Sequence, residues 1–256
     1  MAERLQPALA ARPGGGVHLV PYLMAGSPSL EESIAIGRGY AGAGASAIEV
    51  GVPFSDPLAD GPVIQKAGEQ ALAGGMTVGR SIEVAAAIAE AGTPVVLMIY
   101  LNPVLSYGID AFARDAADAG VAGVIFVDLP VDEAEPFLGP FRERGVDTVF
   151  LAAPTSTDAR IAEIARLSRG FVYCVSVTGV TGARRGLSEE VFSLLDRIRA
   201  QTPLPVTVGF GISEPAHVSR LRGHVNAAAV GSALVREVLE GSDPIPLLRS
   251  LVEAGA

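Results

Sequence analysis

Apolar positions along this chain follow two alternating rhythms. Short Val- and Ile-rich runs at 18–23, 45–50, 94–100, 121–127, 146–152, 171–177, 204–210 and 225–230 read as strands. Between them apolar residues recur every three or four positions with charges between. This is clear at 30–44, 109–120, 131–145, 157–170, 188–201 and 215–223, and it predicts helices. Several strand runs are apolar on both faces, as expected of parallel strands covered by helices. Eight such units in succession predict a (β/α)8 barrel, with small extra helices at the N-terminus and near 61–74. An open doubly wound sheet gives the same local signals and is the alternative. No Ser/Gly linker or shift of composition divides the chain, so residues 1–256 are expected to form one barrel domain.

Composition narrows the function classes. The chain is 49% hydrophobic and 18% charged, enough to bury a large core. Its formal net charge is −9, the wrong sign for a non-specific nucleic-acid binder. Cys174 is the only cysteine, which rules out an intrachain disulfide and a Cys-based zinc site. His18, His217 and His224 are scattered. The first residues hold no long apolar stretch, and no apolar run approaches the ~20 residues that span a bilayer. A cytoplasmic protein is expected. Of 19 basic residues, Lys66 is the single lysine, which removes the P-loop and leaves one residue able to form a Schiff base. GAGASA at 42–47 fits the dinucleotide fingerprint but precedes a strand instead of following one, so it is rejected.

Barrel chemistry sits at the C-terminal ends of the strands. On the second strand, Ile48 and Val50 suit the outward face, so Glu49 points into the barrel. A carboxylate there is either satisfied by a backbone or hydroxyl donor, or used. The following loop, SDPLADGP, carries Asp56 and Asp60, each also open to a turn role. The long Gly-rich stretch 176–190 offers Thr178 and Thr181 to a site and has the character of a lid. It equally reads as a connector ending in a helix cap at Ser188, with Arg184 and Arg185 solvated. VGFGIS and AAAVGSALV end the last two strands, where small residues let backbone amides approach an anion and Ser232 is placed to cap a short helix.

PYLMAGSPS, IEVGVPFSDPLADGPVIQ, SVTGVTGAR and VGFGIS, in this order over nearly the whole chain, resemble the tryptophan synthase alpha chain family. The resemblance implies a lyase of tryptophan biosynthesis that cleaves indole-3-glycerol phosphate to indole and glyceraldehyde 3-phosphate. It implies Glu49 as the main acid/base and Asp60 as the carboxylate acting at the indole N–H. Tyr22, Met98, Tyr100, Ile125, Val127, Leu151 and Tyr173 are implied to line the pocket. Thr181 is implied as a further substrate-binding residue, with Gly182, Phe210, Gly211, Gly231 and Ser232 around the phosphate. Pro53 to Asp56 and the loop near Gly179 are implied to face a beta chain in an α2β2 heterotetramer. Pyridoxal phosphate is expected only in that beta chain, with no cofactor or metal in this one. Ser27 replaces the family's usual Asp, Met24 its usual Thr, and Tyr22 stands where Phe is also seen.

The residues alone agree with this chemistry. Carbon–carbon cleavage commonly uses a Schiff-base lysine or a divalent metal. Lys66 falls in a predicted helix, and no strand ends in lysine. An indole leaving group needs neither, because protonation at C3 creates an electron sink within the substrate. Desolvation should keep Glu49 neutral, while Asp60, on a wetter loop, should stay ionised. Two rivals remain at this stage: a phosphate-sugar isomerase or epimerase using Glu49 as base, and a weakly catalytic subunit that mainly activates a partner.

Overall fold

A computed structural model describes residues 4–175, 189–209 and 211–256. Among them nine strand segments form one parallel sheet: β1 His18–Met24, β2 Ile48–Gly51, β3 Val95–Ile99, β4 Gly123–Phe126, β5 Asp147–Val149, β6 Leu151–Ala152, β7 Val172–Val175, β8 Val206–Gly209 and β9 Ala227–Val230. Their spatial order is β5-β4-β3-β2-β1-β9-β8-β7-β6. Only Phe150 separates β5 from β6, so the two ends of the sheet are one continuous stretch of backbone and the ring closes through it. The predicted fifth strand is therefore split. Its first part pairs with β4 and its second with β7.

The helices are α1 Leu5–Ala8, α2 Leu30–Gly42, α3 Pro62–Ala73, α4 Val78–Ala89, α5 Leu101–Tyr107, α6 Ile109–Asp118, α7 Val131–Arg144, α8 Asp158–Leu167, α9 Glu189–Arg199, α10 Pro215–Leu221, α11 Ser232–Leu239 and α12 Ile245–Gly255. Local chemistry sets several starts. Ser29 accepts from the Glu32 N–H, Thr77 from Arg80 and Thr157 from Arg160. α7 persists through Pro136 and Pro140 because its other face buries Val131, Ala134, Leu138 and Phe141. It stops at Gly145 in the left-handed conformation. No helix among the described residues is long and apolar enough to cross a membrane.

The register fixes how the barrel fills. One row of paired residues runs from Tyr22 through Glu49, Val96 and Gly123 to Asp147. In the other direction a row runs from His18 through Ala227, Thr207 and Tyr173 to Leu151. His18 lies four residues before Tyr22 and Leu151 four after Asp147, so the register slips by eight residues around the ring. That is the shear of a (β/α)8 barrel, with four inward side chains per layer from alternate strands. From the bottom the layers are Ala47, Gly123, Phe171 and Ala227, then Val20, Val96, Val149 and Thr207. Leu5 and Leu9 of the N-terminal segment join this inner cluster. Outward residues such as Leu19, Ile48, Leu97, Val124 and Phe150 belong to the larger cluster beneath the helices.

Candidate active site

The third layer holds Glu49, Ile125, Tyr173 and Ala229, and the fourth holds Tyr22, Met98, Leu151 and Gly209. Above them, at the mouth, come Gly51, Val127 and Gly231. The alternation of β2 thus places Glu49 inside the barrel near its C-terminal end, as expected. Its side chain is only 1% exposed, and its Oε1 has no hydrogen-bond partner among the described residues. Burial pushes its proton affinity up to about 8. A carboxyl in that setting is neutral at physiological pH and holds a transferable proton.

Two tyrosines flank it. Tyr22 pairs directly with Glu49 across β1 and β2, and Tyr173 faces it across the barrel. Both phenols are buried and held protonated, chiefly by desolvation and then by nearby acids, Glu49 among them. Each hydroxyl rests on a glycine of the following strand. A Cβ at Gly51 would overlap the Tyr22 hydroxyl, and one at Gly209 would overlap that of Tyr173. The Tyr22 hydroxyl donates to the Met24 sulfur at 3.9 Å, so two of the departures noted from sequence touch each other.

Asp60 is less solvated than its place on a loop suggests. Burial raises its proton affinity to about 6, against a hydrogen bond from the Tyr100 hydroxyl that favours its ionised form. Tyr100 also accepts the Ala59 N–H at 3.0 Å and packs its ring on Phe54, with centroids 5.1 Å apart. Tyr100 is fixed from behind, where the next N–H, of Leu101, bonds the Asp128 carboxylate at 2.7 Å. The turn carrying Asp60 closes with its N–H on the Pro57 carbonyl at 3.0 Å. Gln65, which the sequence does not mark as functional, donates its side-chain amide to the Asp60 carbonyl at 2.9 Å and to that of Pro57 at 3.4 Å.

The start of α11 lies beside Tyr22. β9 leads through Gly231 into α11, whose first intrahelical bond runs from the Val235 N–H to the Gly231 carbonyl at 3.0 Å. The N–H groups of the first turn are left over for a ligand. Ser232 is the first helical residue, exposed, with Gly231 in the cap position and no side-chain cap; the expected Ser232 cap is corrected to that extent. A Cβ at Gly231 would lie 3.7 Å from Tyr22 Cβ, so this helix end adjoins the pocket. Gly211 has φ +79°, which suits glycine, and is exposed. Thr178, Gly179, Thr181, Gly182, Arg184, Arg185, Ser188 and Phe210 lie outside the described residues.

On the rim, Phe54, Asp56, Leu58, Gln65, Glu69 and Leu72 line a groove of about 450 Å³ between the loop and α3. Of the stretch Pro53 to Asp56 implied to face a beta chain, Pro53 is buried, Phe54 is half-buried on Tyr100, and Ser55 and Asp56 are exposed. Leu58, farther along the same loop, is 86% exposed, and Leu105 of α5 is 47% exposed. Cys174 is buried, with its thiol pushed up to about 12, and is chemically quiet.

Together, a protonated carboxyl inside a barrel, a second carboxylate above it and an amide-lined helix end define a barrel enzyme that moves protons on an anionic substrate. A sequence profile of the tryptophan synthase alpha chain matches residues 10–249. The alpha chain of Solibacter usitatus is 49% identical over 230 residues, 90% of this chain and 86% of that one. That of Phenylobacterium zucineum is 46% identical over 231 residues, covering 90% and 83%. Among solved structures, tryptophan synthase of Mycobacterium tuberculosis superposes with TM-score 0.91 at 42% identity, covering 100% of this chain and 99% of that chain. The alpha subunit from Legionella pneumophila gives 0.90 at 33% identity, covering 99% and 98%. This chain belongs to the tryptophan synthase alpha chain family.

Proposed function

We propose that this chain, one barrel domain over its whole length, cleaves indole-3-glycerol phosphate to indole and glyceraldehyde 3-phosphate with Glu49 as its proton-transfer group. The carrying observation is the buried Glu49 carboxyl, whose Oε1 has no partner among the described residues and whose proton affinity is near 8. Protonated Glu49 delivers its proton to indole C3. The positive charge that develops at the ring nitrogen is stabilised by ionised Asp60, held by Tyr100. The Glu49 carboxylate then takes the proton of the glycerol hydroxyl next to the ring as the C–C bond breaks. The bonding electrons return to the indole, the hydroxyl carbon becomes the aldehyde, and Glu49 regains its proton. Tyr22, Met98, Tyr100, Ile125, Val127, Leu151 and Tyr173 surround the ring and glycerol carbons. Gly182, Gly211, Gly231 and Ser232 take the phosphate mainly through backbone N–H groups, with Phe210 beside them and Thr181 as a further substrate contact. Incubating the pure chain with indole-3-glycerol phosphate and following indole tests the proposal, and no indole, with or without a beta chain, contradicts it.

The phosphate assignment has its own check. Phosphate soaked into crystals is expected at the α11 N-terminus against Gly211, Gly231 and Ser232. Density at the Arg184–Arg185 segment instead would reassign it.

Likeness to tryptophan synthases supports an assembly with a beta chain; the α2β2 form and a cytoplasmic location belong to the same proposal. Its docking surface is the rim loop Phe54 to Leu58 with the groove beside α3. Large apolar side chains this exposed are what a partner covers. Replacing Leu58 with Asp, or Asp56 with Ala, is expected to weaken the complex tenfold or more and to leave unassisted cleavage within about twofold. Titration calorimetry against the beta chain measures the first effect and indole release the second. Unchanged affinity in both variants would remove this surface from the interface.

A further inference from the structure

We infer that Gln65, on the first turn of α3, is a positioning residue for Asp60, through which the groove on the rim bears on the catalytic carboxylate. The inference rests on the role proposed for Asp60 and goes beyond it. Asp60 sits on a short turn, Pro57 to Asp60, closed by one backbone hydrogen bond of 3.0 Å. Such a turn is weakly held alone. Two long-range contacts fix it. Tyr100 binds it at the Ala59 N–H and the Asp60 carboxylate. Gln65 binds the carbonyls at both ends of the turn, Pro57 and Asp60, with the two hydrogens of one amide. α3 itself is anchored, since its inner face buries Ala67, Gly68 and Ala71. Gln65 therefore ties a mobile class of structure to a rigid one.

Gln65 lines the groove on the α3 side with Glu69 and Leu72, and Phe54, which lines it from the loop, packs against Tyr100. Both contacts that hold Asp60 are thus reached from the groove. A partner side chain seated there presses on the two supports of the carboxylate without touching substrate. Groups electrostatically close to Asp60 are Tyr22 from β1 and Tyr100 after β3, with Glu49 acting on Tyr22 and Asp128 on Tyr100. None of them replaces the carbonyl bonds of Gln65.

Loss of those bonds has a direction. A released turn lets the Asp60 carboxyl swing into water. Its desolvation is relieved, and its proton affinity falls from near 6 towards the ordinary carboxylate range. A side chain that only stabilised the fold would not move that titration. Gln65→Met keeps the length and removes the donors. The titration of Asp60 is followed by carbon-13 NMR of the labelled aspartate carboxyls, assigned with Asp60→Asn. Single-turnover cleavage is measured in parallel with the beta chain present. The expected result is a midpoint lowered by at least about half a unit. kcat should fall about tenfold with KM changed less than threefold, since misplacement of a reacting group costs rate before binding. Leu72→Ala, which alters the groove and touches neither carbonyl, should leave the midpoint in place. Should Gln65→Met fail to fold, Gln65→Ala removes the same donors with less demand on space. An unchanged Asp60 midpoint in a folded variant overturns the inference whatever the activity. A wild-type chain that makes no indole contradicts the functional reading, while the NMR titration still decides the role of Gln65.

Discussion

Glu49→Gln is expected to lower single-turnover cleavage by at least 10²–10⁴-fold, the usual contribution of one general acid/base group. The loss should sit at the upper end or beyond, because the same carboxyl serves two proton transfers. Glutamine keeps the shape and the inward position on β2 but has no proton to give and no basic oxygen to receive one. Binding of indole-3-glycerol phosphate should change little, since in the proposed mode the phosphate is held at α11 and the ring by the layer of Tyr22, Met98 and Leu151, none of which is altered. The variant should also be more stable than the native chain. Burial raises the folded-state proton affinity of Glu49 from 4.5 to about 8. A group raised on folding favours the folded state below its unfolded value and loses that advantage as pH climbs to the folded one. Between about 4.5 and 8 the native chain therefore carries a growing penalty that glutamine lacks. At pH 7 this amounts to at most ~3 kcal/mol, because the buried amide also needs partners. Thermal unfolding at pH 5 and pH 8 measures it. A Glu49→Gln enzyme working at a tenth of the native rate would end the assignment, and a Tm difference independent of pH would contradict the burial argument.

Asp60→Asn is expected to cost ~10²–10³-fold in kcat, the scale for removing one electrostatic stabiliser from a water-poor site. The amide oxygen still accepts the Tyr100 hydroxyl, so the turn keeps its place and KM should move less than threefold. What disappears is the negative charge facing the indole nitrogen. The pH profile carries a second signature. In the native chain activity is expected to fall as pH drops through about 6, where Asp60 takes up a proton. In Asp60→Asn that acid limb should vanish while the alkaline limb, set by Glu49, remains. Activity within threefold of the native chain, or an acid limb still in place, would assign the limb and the charge elsewhere.

The barrel was legible because its strands are apolar on both faces and its helices on one, so the two rhythms separate cleanly along the chain. The break at Phe150 was not legible. It arises where the closing strand changes neighbours from β4 to β7, a property of the ring and not of the local sequence. Glu49 could be placed by simple alternation, since Ile48 and Val50 demand the outer layer. The solvation of Asp60 could not, because its cover comes from Tyr100, some forty residues on in the chain. For the same reason the sequence does not say which of Phe54 and Leu58 is covered and which exposed. Both are apolar residues of one loop, and only the arrival of the Tyr100 ring decides which is covered. Gln65 carried no signal, because a helix-borne glutamine is ordinary until the carbonyls it binds are seen. The pairing of Tyr22 with Gly51 and Tyr173 with Gly209 is of the same kind, set by contact between strands.

The central claim is that a neutral buried Glu49 and an ionised Asp60 together split indole-3-glycerol phosphate. It is tested most directly by single-turnover indole release from the purified chain across the pH range. The expected result is a bell with its plateau between the proton affinities of the two groups, near 6 and near 8. The alkaline limb should reflect loss of the Glu49 proton and the acid limb neutralisation of Asp60. A rate that keeps rising above pH 9, as for a reaction needing Glu49 only as a base, would contradict the account.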